Sequence, residues 1–98
     1  MKIQRLVIRG RVQGVGYRAW TERVALRQEL EGWVRNCRDG AVEAVFAGPE
    51  EAVAAAIEAC HRGPSGARVD AVEVQQGDAD LLRLLRPGER FSVLPTAQ

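Results

Sequence analysis

Gly10-Arg11-Val12-Gln13-Gly14-Val15-Gly16-Tyr17-Arg18 joins a stretch of alternating residues to a helical one. The three glycines at 10, 14 and 16 permit turns closed to other residues and let backbone N–H groups approach a ligand. Such donors at the start of a helix form a concavity suited to an anion. Arg18 adds a permanent charge on a planar fork that can hold two phosphate oxygens together. The glycine spacing is neither that of a dinucleotide fingerprint nor that of a nucleotide P-loop. Taken alone, the loop reads either as an anion site or as a plain strand-to-helix turn.

Before the loop, residues 2–9 alternate, with Leu6 and Ile8 on one side and Arg5, Val7 and Arg9 on the other. This is the pattern of a strand in a sheet with one face under helices and the other largely wet. After the loop, Tyr17, Trp20 and Val24 recur at the spacing of a buried helical stripe, leaving Glu22, Arg23, Arg27 and Gln28 towards solvent. The helix is expected to fade near Leu30, ahead of Gly32. Two strands follow, 32–36 and 41–47, on either side of Cys37-Arg38-Asp39-Gly40, where Asp-Gly between apolar runs signals a hairpin.

Gly48-Pro49-Glu50 ends the strand and opens a second helix, with Pro49 near the first turn and Glu50 and Glu51 at the positive end. Val53, Ile57 and Cys60 form its apolar stripe, and His61-Arg62-Gly63-Pro64 closes it. Residues 67–75 read as a fourth strand. Between 77 and 88, Leu81, Leu82, Leu84 and Leu85 suit either a helical turn on the core or an exposed apolar patch. Residues 91–94 read as a short edge strand, and 95–98 are expected to fray.

Strand, helix, strand, strand, helix, strand, plus a short extra strand, most simply gives an α+β, ferredoxin-like fold. In this split β-α-β sandwich, right-handed crossovers put both helices on one face of an antiparallel sheet. The 98 residues make one domain, 1–98, with a single modest core. The loop after the first strand and the hairpin after the second then share one end of the sheet, which brings Asn36 near the Gln13–Arg18 cradle. A carboxamide beside a bound phosphoryl group can accept from a water and orient it for in-line attack. Taken singly, Asn36 is a turn-favouring residue at a strand end, and Arg18 an exposed or core-capping helix residue.

Composition narrows the function classes. A hydrophobic share of 46% and a charged share of 28% are those of an ordinary globular chain. Fourteen Lys+Arg against thirteen Asp+Glu leave +1, so no broad field draws the chain to nucleic acid or an anionic membrane. No apolar run reaches the length of a membrane span, and Met1-Lys2-Ile3-Gln4-Arg5 lacks the apolar stretch of a secretory signal. Cys37 and Cys60 have no metal-ligand spacing. The sequence allows a disulfide between them; the simpler account is a reduced thiol in each place and a cytoplasmic protein.

With the second stretch in view, a family resemblance emerges. Residues 10–18 closely resemble the first signature of the acylphosphatases. Gly32-Trp33-Val34-Arg35-Asn36-Cys37-Arg38-Asp39-Gly40-Ala41-Val42-Glu43 resembles the second in spacing and in nearly every diagnostic residue. The likeness runs from about Ile3 through the fourth strand, and Phe91-Ser92-Val93 is similar to the family's last strand.

The resemblance implies hydrolysis of a carboxyl–phosphate mixed anhydride to carboxylate and inorganic phosphate, without metal, cofactor or covalent intermediate. It makes Arg18 the phosphate-binding arginine and Asn36 the water-orienting asparagine. The backbone N–H groups of Gly14, Val15, Gly16, Tyr17 and Arg18 become the phosphate cradle. The expected partner is a small-molecule acyl phosphate, acted on by a monomer with no nucleic-acid or membrane partner.

A carboxylate leaving group, with a pKa of about 4, needs no general acid. His61 then reads as a helix-end cap, and Glu43 as solvated or structural rather than as a base. Gln28-Glu29 stand where the family often has Leu-Gly, and the segment 78–90 is longer and richer in leucine than the family pattern. The competing readings are a non-catalytic ferredoxin-like module binding an anion or RNA, and a carbamoyl-phosphate-processing segment of a larger enzyme.

Overall fold

The computed structural model describes residues 1–97; Gln98, the last of the residues expected to fray, lies outside the described residues. The elements are β1 (Lys2–Arg11), α1 (Tyr17–Arg27), β2 (Glu31–Asn36), β3 (Val42–Gly48), α2 (Glu50–Arg62), β4 (Arg68–Gln76), a 3-10 helix (Ala79–Leu84) and β5 (Phe91–Val93). The sheet runs β4-β1-β3-β2-β5. Neighbours among its four longer strands are antiparallel, as the ferredoxin-like expectation requires. The edge strand β5 departs from that expectation. It pairs parallel to β2, with Gly32 opposite Phe91 and Val34 opposite Val93, so the sheet as a whole is mixed.

Alternation along the strands sorts the residues between two faces. Leu6, Ile8, Val34, Val42, Ala44 and Phe46 are fully buried against Val24 and Ala25 of α1 and Val53, Ala56 and Cys60 of α2. Burying each large side chain of this set contributes about 2 kcal/mol. The opposite face is drier than the alternation in residues 2–9 suggests. Trp33 and Val45 are also fully buried there, against Leu94 and the half-buried Leu81 and Leu82. The Trp33 indole N–H donates to the Leu81 carbonyl at 2.7 Å, which pins the 3-10 helix across the sheet. The leucine-rich segment is thus a cover for a second, smaller core, with Leu84 left 44% exposed.

Further along that face Glu43 is buried, not solvated. Its two oxygens accept from Arg5 Nε at 2.5 Å and Arg35 Nε at 2.7 Å. The Arg35 guanidinium also lies over the Trp33 ring, 4.7 Å from its centre.

The first helix stops at Arg27, short of Leu30. Glu29 takes a left-handed conformation (φ 57°), its N–H donates to Leu26 O at 3.1 Å, and the Leu30 N–H donates to Ala25 O at 2.9 Å. This pair of bonds is a Schellman ending, which turns the chain sharply and drops the fully buried Leu30 into the core. Pro49 is the residue before α2, and Glu50 and Glu51 fill its first turn. Near the other end His61 Nδ1 lies 3.1 Å from Ile57 O, one turn back within the same helix, so it does not cap the final carbonyls.

Candidate active site

The loop between β1 and α1 is shorter than the glycine spacing suggests. Gly10 belongs to β1, at an irregularity in its pairing with β4, and a Cβ there would lie 2.2 Å from Arg68 O. That glycine therefore serves the approach of two strands, not a ligand. Gly14 (φ 76°) and Gly16 (φ 79°) do form the loop, both left-handed, with nothing within 4 Å of where a Cβ would stand. Their backbone conformation would strain a side-chain-bearing residue, and the space a Cβ would fill stays open.

Gly16 is also the N-cap of α1, and among the described residues no side chain caps that helix and no acid stands in its first turn. First-turn N–H groups have no partner inside a helix and carry its positive end. The second helix neutralises this end with Glu50 and Glu51. The first instead places Arg18 there, so positive potential accumulates at one spot of a chain that is nearly neutral overall.

Beside this helix start is a cleft of about 270 Å³ lined by Val12, Gly14, Gly16, Tyr17, Arg18, Ala19, Asn36 and Val93. Arg18 is half-buried; its Nη1 makes only a long contact of 3.5 Å with Leu94 O, and among the described residues it pairs with no carboxylate. Asn36 arrives by strand alternation. Trp33 joins the far-face core and Val34 the core under the helices, and Asn36, two residues on, falls on the same side as Val34.

Its backbone is fixed from both flanks, opposite Val42 in the hairpin and by the Ala97 N–H, which donates to Asn36 O at 2.9 Å. Ala97 is thus hydrogen-bonded to β2, while Pro95 and Thr96 before it are exposed. Gly14, Gly16, Tyr17, Arg18 and Asn36 therefore meet in one cleft, while the Val15 side chain packs against the core and only its backbone belongs to the loop.

The other polar groups nearby are anchors. Tyr17 Oη donates to Cys60 O at 2.6 Å, and burial holds its hydroxyl well above the usual range, so it stays protonated. Thr21 Oγ1 donates back to Tyr17 O at 2.8 Å. Both cysteines are free thiols. Burial raises the Cys37 thiol and pushes Cys60 up to about 12, so neither is a ready nucleophile near neutral pH.

The Acylphosphatase family profile matches residues 4–84. The chain belongs to the acylphosphatase family. An acylphosphatase of Rhodopseudomonas palustris (strain BisB18) is 61% identical over 94 residues, covering 96% of this chain and 95% of the relative. One from Nitrobacter hamburgensis (strain DSM 10229 / NCIMB 13809 / X14) is 60% identical over the same shares of each chain. The crystal structure of acylphosphatase from Bacillus subtilis aligns with a TM-score of 0.82 at 36% identity, covering 96% of this chain and 99% of that one.

One wall of the acylphosphatase cleft and one contact beside it escape the sequence reading. Val93 supplies a wall from β5, beyond the span that the family profile matches. Its strand is visible in the sequence, but its place beside β2 is not. Gln13 lies within the loop, and its Nε2 donates to the carbonyls of Cys37 and Ala41, both at 2.8 Å. The available signal was a long amide side chain in an otherwise apolar, glycine-rich turn.

Proposed function

We propose that the chain hydrolyses acyl phosphates by direct in-line attack of water on phosphorus, with Arg18 and the N–H groups of Gly14 to Arg18 holding the phosphoryl group and Asn36 orienting the water. The observation that carries this reading is the meeting of Arg18, the open start of α1 and Asn36 in one cleft. The bond between phosphorus and the acyl oxygen breaks as the bond to water oxygen forms. The carboxylate leaves with its electron pair, and the water proton passes to phosphate and solvent.

The transition state is loose and spreads charge over three equatorial oxygens, so positioned donors and a guanidinium supply most of what it needs. A carboxylate of pKa about 4 departs without a proton donor. In this scheme the neutralising charge is Arg18 and the amide dipoles, and no metal takes part. The near-zero net charge and the two unpaired thiols support a cytoplasmic monomer with a small-molecule substrate and no nucleic-acid or membrane partner. No helix among the described residues is long and apolar enough to cross a membrane.

The test is benzoyl phosphate hydrolysis, with a chelator present, by wild type, Arg18→Ala and Asn36→Ala. Arg18→Ala is expected to lose both inorganic-phosphate affinity and turnover. Asn36→Ala is expected to keep phosphate affinity while kcat falls about 100-fold or more. Wild-type turnover in Arg18→Ala would refute the assignment.

A further inference from the structure

The glycine loop and the hairpin that carries Asn36 are separate pieces of chain, and one side chain clasps them together. Gln13 Nε2 donates to Cys37 O and Ala41 O, each at 2.8 Å. Those residues close the hairpin turn, where the Cys37 N–H donates to Ala41 O at 2.8 Å and the Gly40 N–H to Cys37 O at 3.2 Å. Both amide hydrogens of Gln13 are therefore engaged, one at each end of the turn. Because both partners are carbonyls, only the nitrogen end of the carboxamide can face them. Asn36 directly precedes Cys37 and pairs with Val42, directly after Ala41. Gln13 itself is absent from the cleft lining.

We propose that Gln13 is a positioning residue, setting the separation between a phosphoryl group held in the loop and the water held by Asn36. The proposal rests on the roles given above to Arg18 and Asn36. The loop determines where phosphorus sits and the hairpin determines where the water sits. In-line attack requires the two to agree closely, and a misplacement of about 1 Å costs on the order of 100-fold in rate. Gln13 is the direct polar tie between the two, and it works without touching the substrate.

The experiment is a double-mutant cycle on acyl phosphate hydrolysis using wild type, Gln13→Met, Asn36→Ala and the combined variant. Each is also measured for the inhibition constant of inorganic phosphate and for thermal melting. Gln13→Met keeps length and removes the donor. It is expected to lower kcat about 10- to 100-fold while phosphate inhibition shifts by less than about threefold, since the loop's own donors remain.

In the Asn36→Ala background the same change is expected to cost nothing further. Gln13→Asn, which keeps the donor but draws it back by one methylene, is the milder second variant and is expected to give a smaller loss of the same kind. Unchanged kcat in both Gln13 variants would overturn the proposal. So would losses that multiply in the combined variant, or phosphate inhibition weakening in step with kcat. If Asn36→Ala alone turns over like wild type, the water-orienting role fails. If Asn36→Ala is slow and Gln13→Met is not, only the positioning role fails.

Discussion

A guanidinium and a carboxamide bring different chemistry to the cleft, and substitutions at single residues separate them. Arg18→Lys keeps the charge but loses the planar fork that spans two oxygens. It is expected to weaken inorganic-phosphate inhibition about tenfold, the effect of losing one charge-assisted hydrogen bond. An unchanged inhibition constant would mean that Arg18 acts as a remote charge only. Glu43 makes the opposite case, a carboxylate near the signatures whose oxygens are spent on Arg5 and Arg35. Glu43→Gln is expected to cost about 2 kcal/mol in urea unfolding, because it removes the buried charge shared by two partly exposed arginines. The folded variant should keep its kcat within about twofold, and a large loss would make Glu43 part of the chemistry. The meeting of Arg18 and Asn36 in one cleft was legible because each lies inside a motif whose elements share one end of the sheet. The burial of Glu43 and the clasp of Gln13 were not, since both depend on which strands become neighbours.

At the level of elements, the two helix starts carry opposite designs, and both are visible in the sequence. Acidic residues fill the first turn of α2, whereas α1 opens on glycine and arginine. The end of α1 was less legible, because Gln28-Glu29 hides a left-handed turn that glycine would have announced. Glu29 adopts φ 57° and uses its backbone alone, its carbonyl accepting from Arg90 Nη2 at 2.7 Å. Glu29→Gly relieves the left-handed strain of a side-chain-bearing residue, expected to add about 1 kcal/mol of stability. In a chain of this size that raises Tm by about 4 °C or more. A lower Tm would show that the Glu29 side chain contributes something the turn does not require. Where the 3-10 helix packs and how β5 pairs were unreadable for another reason. Leu81 and Leu82 bury only after the chain has crossed the far face of the sheet to Trp33, a contact over 48 positions, and β5 is placed by its pairing with the distant β2; no local pattern encodes either.

Over the whole molecule, the succession of strands and helices and the ferredoxin-like class followed from the sequence because apolar alternation and turn residues agree. The second core beneath Leu81 and Leu82 did not, since a leucine run suits core and surface alike. A buried thiol, a half-buried thiol and a buried phenol also make stability depend on pH. Cys60 ordinarily loses its proton at 9.0 but in the fold holds it up to about 12, while Cys37 and Tyr17 are raised in the same direction. Below pH 9 their contribution is fully present. Above it the unfolded chain binds fewer protons than the native one, so stability falls as pH rises towards 12. Cys60, fully inside its window, contributes a slope of about 1.4 kcal/mol per pH unit. Urea midpoints at pH 8 and 10.5 should show the fall, and Cys60→Ala should make it shallower. A flat profile would place these groups in contact with water.

In the proposed mechanism, binding of phosphate at the start of α1 joins the chain's positive spot to its chemistry. The most direct measurement is a titration of the 15N-labelled protein with inorganic phosphate, following backbone amide shifts. Saturating shifts are expected at the amides of Gly14 to Arg18 in the wild type, and they should be lost in Arg18→Ala. Saturating shifts confined to other parts of the chain, or none in the loop, would contradict the assignment of this cleft.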